Sequence, residues 1–138
     1  NSFLNPIMEK IRRKYICKKQ IKKGITGTKE LLKEFKKGTS IALMIDQRVS
    51  EGVESDFFGK KALTTTIPAQ FIKKFDVAVV PIYIERLIDD KFKLKIFENV
   101  KFSQDDSVDQ ITLKLNKILE KMILNNPSQW ILTHNRWK

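Results

Sequence analysis

Apolar residues at helical spacing open the chain. Ile7, Ile11 and Tyr15 lie four residues apart, and Asn5-Pro6 marks a helix start, with Asn5 as N-cap and Pro6 in the first helical position, where its missing N–H costs nothing. This helix is expected to run to about Lys19, its other face carrying Lys10, Arg12, Arg13 and Lys14, followed by Lys18, Lys19, Lys22 and Lys23. A second helix is expected from a Thr28 cap through Lys37, with Leu31, Leu32 and Phe35 inward and Gly38 as its stop. Ser40 to Ile45 is too short and too β-branched at its ends for another helix and predicts a buried strand. A long loop follows, then a helix from about Thr66 to Phe75 with Ala69, Ile72 and Phe75 facing in. Val77 to Glu85 and Phe92 to Phe97 predict two strands joined by the turn Asp89-Asp90. The last long helix spans Val108 to Leu124, with Ile111, Leu115, Ile118, Leu119 and Met122 in register, and Asn126-Pro127 breaks it. Ser128 then caps a short terminal segment. The order α-α-β-loop-α-β-β-α-α predicts one layered α/β domain over residues 1–138.

Charge changes the picture. The chain has 27 Lys+Arg against 16 Asp+Glu, a net charge of +11. That balance favours polyanionic partners: nucleic acid, an anionic membrane surface or phosphorylated substrates. A second source of the excess is a gene composition rich in Lys, Ile and Asn codons, and both stand open. Cys17 is the only cysteine and His134 the only histidine, so an intrachain disulfide is excluded and the material for a metal site is poor. The longest apolar runs, Ile41 to Ile45 and Val77 to Ile84, fall far short of the roughly 20 residues that span a bilayer. Glycine-rich nucleotide loops and a nucleophile elbow are missing from the sequence.

The stretch from Asp46 to Thr66 is the most suggestive. A strand-like run ends on Asp46-Gln47, and the loop after it delivers Phe57, Phe58 and Gly59, then Thr64, Thr65 and Thr66. One reading is the rim of a ligand site at the carboxyl end of a sheet. The other is that Asp46 caps a turn and the phenylalanines are core. Arg86, at the end of the Val77 strand, is either a phosphate contact or a solvated strand end.

The pattern DQ, GV, FFG, KKA, TTT, then "VAVVPIYIER", "ILEKMI" and "NPSQWILTHNRWK" resembles the carboxyl-terminal half of the lipid A biosynthesis lauroyl/myristoyl acyltransferase family, within the lysophospholipid acyltransferase superfamily. The resemblance runs along essentially the whole chain. Thr133 stands where an aromatic is common in that family. The resemblance implies a layered sheet with flanking helices, part of a glycerolipid-acyltransferase-like fold. It implies transfer of an acyl chain from acyl carrier protein to a lipid A precursor on the cytoplasmic face of the bacterial inner membrane, without a cofactor or metal. It places substrate binding at Asp46, Gln47, Phe57, Phe58, Gly59, Thr64, Thr65, Thr66, Arg86, His134 and Arg136, and membrane or donor docking at Lys10, Arg12, Arg13, Lys14, Lys18 and Lys19. The family's catalytic motif, a histidine followed five positions later by Asp or Glu, lies upstream of these residues, so the expectation is a truncated chain that is inactive alone. Trp130 and Trp137 are expected to pack or to meet a membrane interface.

The competing reading is a basic nucleic-acid-binding α/β module using the Arg12 to Lys23 patch. Phe57, Phe58, Trp130 and Trp137 are not interleaved with that patch as stacking platforms would be, so nucleic acid is not the expected partner.

Overall fold

Four α-helices and two small antiparallel sheets make up the described residues, 4–21, 24–131 and 135–137 of the computed structural model, a mixed α/β fold. They fall into two compact units, Asn1–Ala42 and Leu43–Lys138.

The first unit holds α1 (Asn5–Tyr15) and α2 (Ile25–Phe35). The N-cap of α1 is Leu4, one residue before the expected Asn5, because Leu4 already has helical dihedrals and its carbonyl accepts from Met8 N–H at 3.0 Å. The helix ends at Tyr15, short of the expected Lys19. Beyond it the chain turns so that Lys19 pairs with Glu30 at 3.3 Å and Glu34 at 2.7 Å on α2. The N-cap of helix α2 is Gly24, with φ 108°, four residues before the expected Thr28. Thr28 serves from inside the first turn instead, donating its hydroxyl to the Gly24 carbonyl at 3.3 Å.

The second unit is organised by α4 (Val108–Asn125), which opens with a capping box in which Ser107 accepts from Gln110 N–H and the Gln110 side chain accepts from Ser107 N–H. Its first half packs Ile111 and Leu115 against Ala69 and Ile72 of α3 (Ile67–Phe75), with Ile45, Val77, Val79, Phe102 and Val108 around them. Its second half packs Ile123 and Leu119 against a β-hairpin. That hairpin, β1 (Val53–Phe57) and β2 (Lys60–Thr64), occupies part of the stretch expected as a long loop. Its turn is Phe58-Gly59, both with positive φ (51° and 74°), the sign pattern of a tight two-residue hairpin turn. A bulky residue in that region is strained. Phe58 is held there by Glu120 of α4, which accepts the Phe58 N–H at 2.7 Å, and by ring contacts with Phe57 and Trp130.

The second hairpin pairs β3 (Ile82–Arg86) with β4 (Phe92–Ile96), with Ile84 opposite Leu94. The expected Val77 to Glu85 strand therefore pairs only over its second half, with a single bridge from Val79 to Val100 before it. The connection is a 3₁₀ turn at Ile88–Asp90 with left-handed Asp89 and Asp90. Ser40 to Ile45 forms no strand. Its apolar pattern records a tendency to burial but no ladder partner stands beside it among the described residues, and Met44 is 85% exposed while Ile45 alone packs into the core. Ser128 does not cap the terminal segment; Asn126 is the N-cap of the short Pro127–Gln129 turn, and the Ser128 hydroxyl donates to the Asn126 side chain at 2.7 Å.

Candidate functional site

Three elements of the second unit converge on one guanidinium. Thr64 ends β2 and points to the buried face, Asn116 lies on the hairpin side of α4, and Arg136 arrives from the terminal segment. Arg136 is only 2% exposed. Its two terminal nitrogens donate to the Leu63 carbonyl at 2.6 Å and the Thr64 hydroxyl at 2.7 Å, and its guanidinium lies 5.0 Å from the centre of the Phe57 ring. The Asn116 amide donates to the Asp56 carbonyl at 2.9 Å and to the Thr64 hydroxyl at 3.4 Å. Burial lowers the Arg136 pKa from its ordinary value, while the negative charge of Asp46 acts to raise it. The cation is thus held by a backbone oxygen, a hydroxyl oxygen and a ring face, with the Asp46 charge acting at longer range, while its buried Nε–H has no hydrogen-bond partner among the described residues.

The aromatic residues complete this wall. Phe57 is fully buried, and its ring sits 4.9 Å from Phe58, 5.7 Å from Trp130 and 6.0 Å from Trp137. The Trp137 indole N–H donates to the Phe57 carbonyl at 2.9 Å, locking the terminal segment onto β1. On the outer side, Lys117 pairs with Asp56 at 2.6 Å and with Glu120 at 3.0 Å. The Lys117 ammonium holds the Asp56 carboxyl below its ordinary pKa.

The structure brings together four of the residues expected at the site: Phe57, Phe58, Thr64 and Arg136, with Asp46 half-buried within electrostatic reach. Gln47 and Gly59 are exposed. Thr65 and Thr66 flank the start of α3, where the Thr65 hydroxyl accepts from Ile67 N–H at 3.3 Å and the Thr66 hydroxyl accepts from Gln70 at 2.9 Å. Arg86 belongs to a separate feature, an open groove of about 870 Å³ lined also by Leu87, Ile88, Lys91, Gln129 and Ile131. Its guanidinium pairs with Asp90. His134 lies outside the described residues. The six cations of the docking patch are on the first unit, all exposed. Of these, Arg13 pairs with Glu9 at 3.8 Å and Lys19 with α2, and the Glu34 carboxylate raises the Lys19 pKa.

Two contributors escape a reading of the sequence alone. Asn116 is fully buried on α4, and the signal for it is a polar residue beside Leu115 on the inward stripe. Gln129, inside the quoted P-S-Q-W stretch, accepts from Arg86 N–H at 2.8 Å and donates to the Arg86 carbonyl at 2.7 Å. It mimics a neighbouring strand and fixes the end of β3 beside the groove.

A family model described as bacterial lipid A biosynthesis acyltransferase matches residues 1–138, and the chain belongs to that family. The family implies acyltransferase activity in lipid A biosynthesis, with an acyl donor and a lipid A-type acceptor. No curated protein matches the chain. Among the described residues no helix is long and apolar enough to cross a membrane.

Proposed function

We propose that the protein moves a fatty acyl chain of the lauroyl or myristoyl type from an acyl carrier protein thioester to a hydroxyl of a lipid A precursor, at the cytoplasmic face of the bacterial inner membrane. The match of the family over residues 1–138 carries this reading. In the reaction the acceptor oxygen attacks the thioester carbonyl, a C–O bond forms, the C–S bond breaks, and the acceptor proton passes to a general base while the thiolate leaves and is protonated. The base in our reading is a histidine with a carboxylate five positions on. In this reading His134, the only histidine of these 138 residues, is a binding residue and not that base.

Asp46 and Gln47 orient the acceptor hydroxyl or the base in this proposal, and Phe58 with the hairpin turn at Gly59 walls the acyl side. Thr65, Thr66 and Arg86 face the phosphorylated headgroup, and His134 stands with them on the resemblance alone. Arg136 acts from behind: both of its terminal nitrogens donate to β2, at Leu63 and Thr64, which supports a role in holding the β2 end in place. The basic patch of the first unit, Lys10 to Lys19, meets the anionic membrane surface or the acidic donor. Phe57, Phe58, Trp130 and Trp137 of the second unit pack as one cluster, away from the patch in sequence, which favours this reading over a nucleic-acid module. The test is incubation of the full-length protein with acyl carrier protein thioesters of graded chain length and a lipid A precursor, read by mass spectrometry. Addition of one acyl mass supports the proposal. No transfer at any length, or transfer from coenzyme A thioesters alone, contradicts it.

A further inference from the structure

Helix α1 carries an uncovered apolar stripe. Leu4, Ile7, Met8, Ile11 and Tyr15 follow the i, i+3, i+4, i+7, i+11 spacing, and at 3.6 residues per turn they occupy a sector about 100° wide. They are 43% to 71% exposed, and no residue of the helix is buried. The same rotation sets Arg12 on one border of the stripe and Lys14 on the other, with the Lys14 ammonium 4.9 Å from the Tyr15 ring. Glu9 is the sole carboxylate of α1; it falls on the opposite side and is paired with Arg13 at 3.8 Å. The surrounding unit is strongly cationic: residues 1–42 contain 12 Lys+Arg and 3 Asp+Glu, so +9 of the +11 net charge lies there.

We propose that α1 lies in the plane of an anionic lipid surface, with the Leu4–Tyr15 stripe inserted among the acyl chains and Arg12 and Lys14 reaching up to lipid phosphates. An amphipathic helix with an apolar face, cationic borders and an interfacial aromatic has the composition of an in-plane membrane helix. Charge complementarity selects anionic lipid as the occupant, because the border side chains are cations and the one carboxylate is turned away and neutralised. The proposal deepens the membrane-surface part of the function proposed above: there the contact is a cationic patch, here it is insertion by named apolar residues.

The experiment uses the 138-residue chain and vesicles of phosphatidylglycerol and phosphatidylethanolamine, with phosphatidylcholine vesicles as the neutral comparison. Cys17 is the only cysteine, is exposed, and sits two residues past α1, so a fluorophore attached there reports depth through quenching by brominated acyl chains. The expected result is binding to the anionic vesicles with quenching, and at least about tenfold weaker partitioning for Ile7→Asp/Ile11→Asp, whose helical signal and melting are unchanged because both positions are already half solvated. Arg12→Gln/Lys14→Gln should reduce binding to anionic vesicles without abolishing quenching in the fraction that remains bound. Unchanged binding of the isoleucine variant, with loss only in the charge variant, would reduce the contact to surface adsorption and overturn the proposal. A lowered melting temperature of the isoleucine variant with unchanged vesicle binding would mean that protein covers the stripe. Binding of acyl carrier protein in solution, abolished by the same isoleucine substitutions, would assign the stripe to the donor. Acyl transfer is not read in any arm, so its failure leaves this proposal standing and the reverse holds too.

Discussion

Arg136→Met is the most informative single change in the second unit. It deletes donors to the Leu63 carbonyl and the Thr64 hydroxyl, the latter on a residue that is 2% exposed. Each acceptor keeps one longer donor at 3.4 Å, Val49 N–H for Leu63 and the Asn116 amide for Thr64, so the loss is that of two short hydrogen bonds from a charged group, about 1.5–3 kcal/mol each and roughly 3–6 kcal/mol together. Removing the guanidinium also removes the cost of burying it, and methionine refills most of the apolar volume, which together bring the net loss to about 3 kcal/mol. An unfolding entropy of about 2 cal/mol/K per residue over the chain converts that to a fall of roughly 10 °C in melting temperature. Circular dichroism melts at neutral pH measure it, with Arg136→Lys as the companion: one ammonium can reach one acceptor but not span both as the planar fork does, so it should lose a comparable but smaller amount. A melt of Arg136→Met within about 2 °C of the parent would refute the reasoning, and would return this side chain to the pool of groups available for substrate.

Other consequences concern separate parts of the molecule. Lys19 and Lys37 bonded to Glu34 hold its carboxyl down to about 2 from 4.5; because the folded pKa is the depressed one, this contribution is full above pH 4.5 and is lost as pH falls toward 2. Far-UV titration should show α2 losing helix in that window, more weakly at high salt, and Glu34→Gln should remove that component. Gly52→Ala would drive a Cβ into the Thr64 backbone, with Val49 Cγ2 at 2.7 Å, and is expected to cost about 1–3 kcal/mol in a denaturant melt. Gln129→Leu frees the Arg86 backbone at an exposed strand end, so stability should change by about 1 kcal/mol or less; in the proposed acyl transfer, KM for the phosphorylated acceptor should rise several-fold with kcat retained.

What was legible in the sequence was the helical part of the core. Ala69 and Ile72, and Ile111 and Leu115, are buried as their spacing predicts, because a 3.6-residue apolar period has one structural meaning at that length. The hairpin was not legible. Ser55, Asp56, Lys60 and Lys61 interrupt its alternation, and Phe58-Gly59 lacks the Asn or Asp that usually announces such a turn; the strain at Phe58 is met from α4, which no local pattern displays. Ser40 to Ile45 failed in the other direction, since apolar composition states a preference for burial and says nothing of a hydrogen-bonding partner. At the candidate site, Phe57 and Thr64 could be named from the family pattern, but the buried guanidinium that joins them to the terminal segment depends on contacts across more than seventy residues. Charged side chains are almost never fully buried unless paired, so only the folded chain reveals Arg136 in that place.

The central claim is acyl transfer with the Asp46-Gln47 segment in the site, and the most direct measurement compares the full-length protein with its Asp46→Ala variant. Both are given acyl carrier protein thioester and a lipid A precursor, with matched folding verified by melting. The parent is expected to transfer, and the variant to lose about 100-fold or more in kcat/KM, the scale of removing a group that orients the reacting atoms. Equal transfer by the two proteins would remove Asp46 from the site, and a folded parent with no transfer would contradict the account.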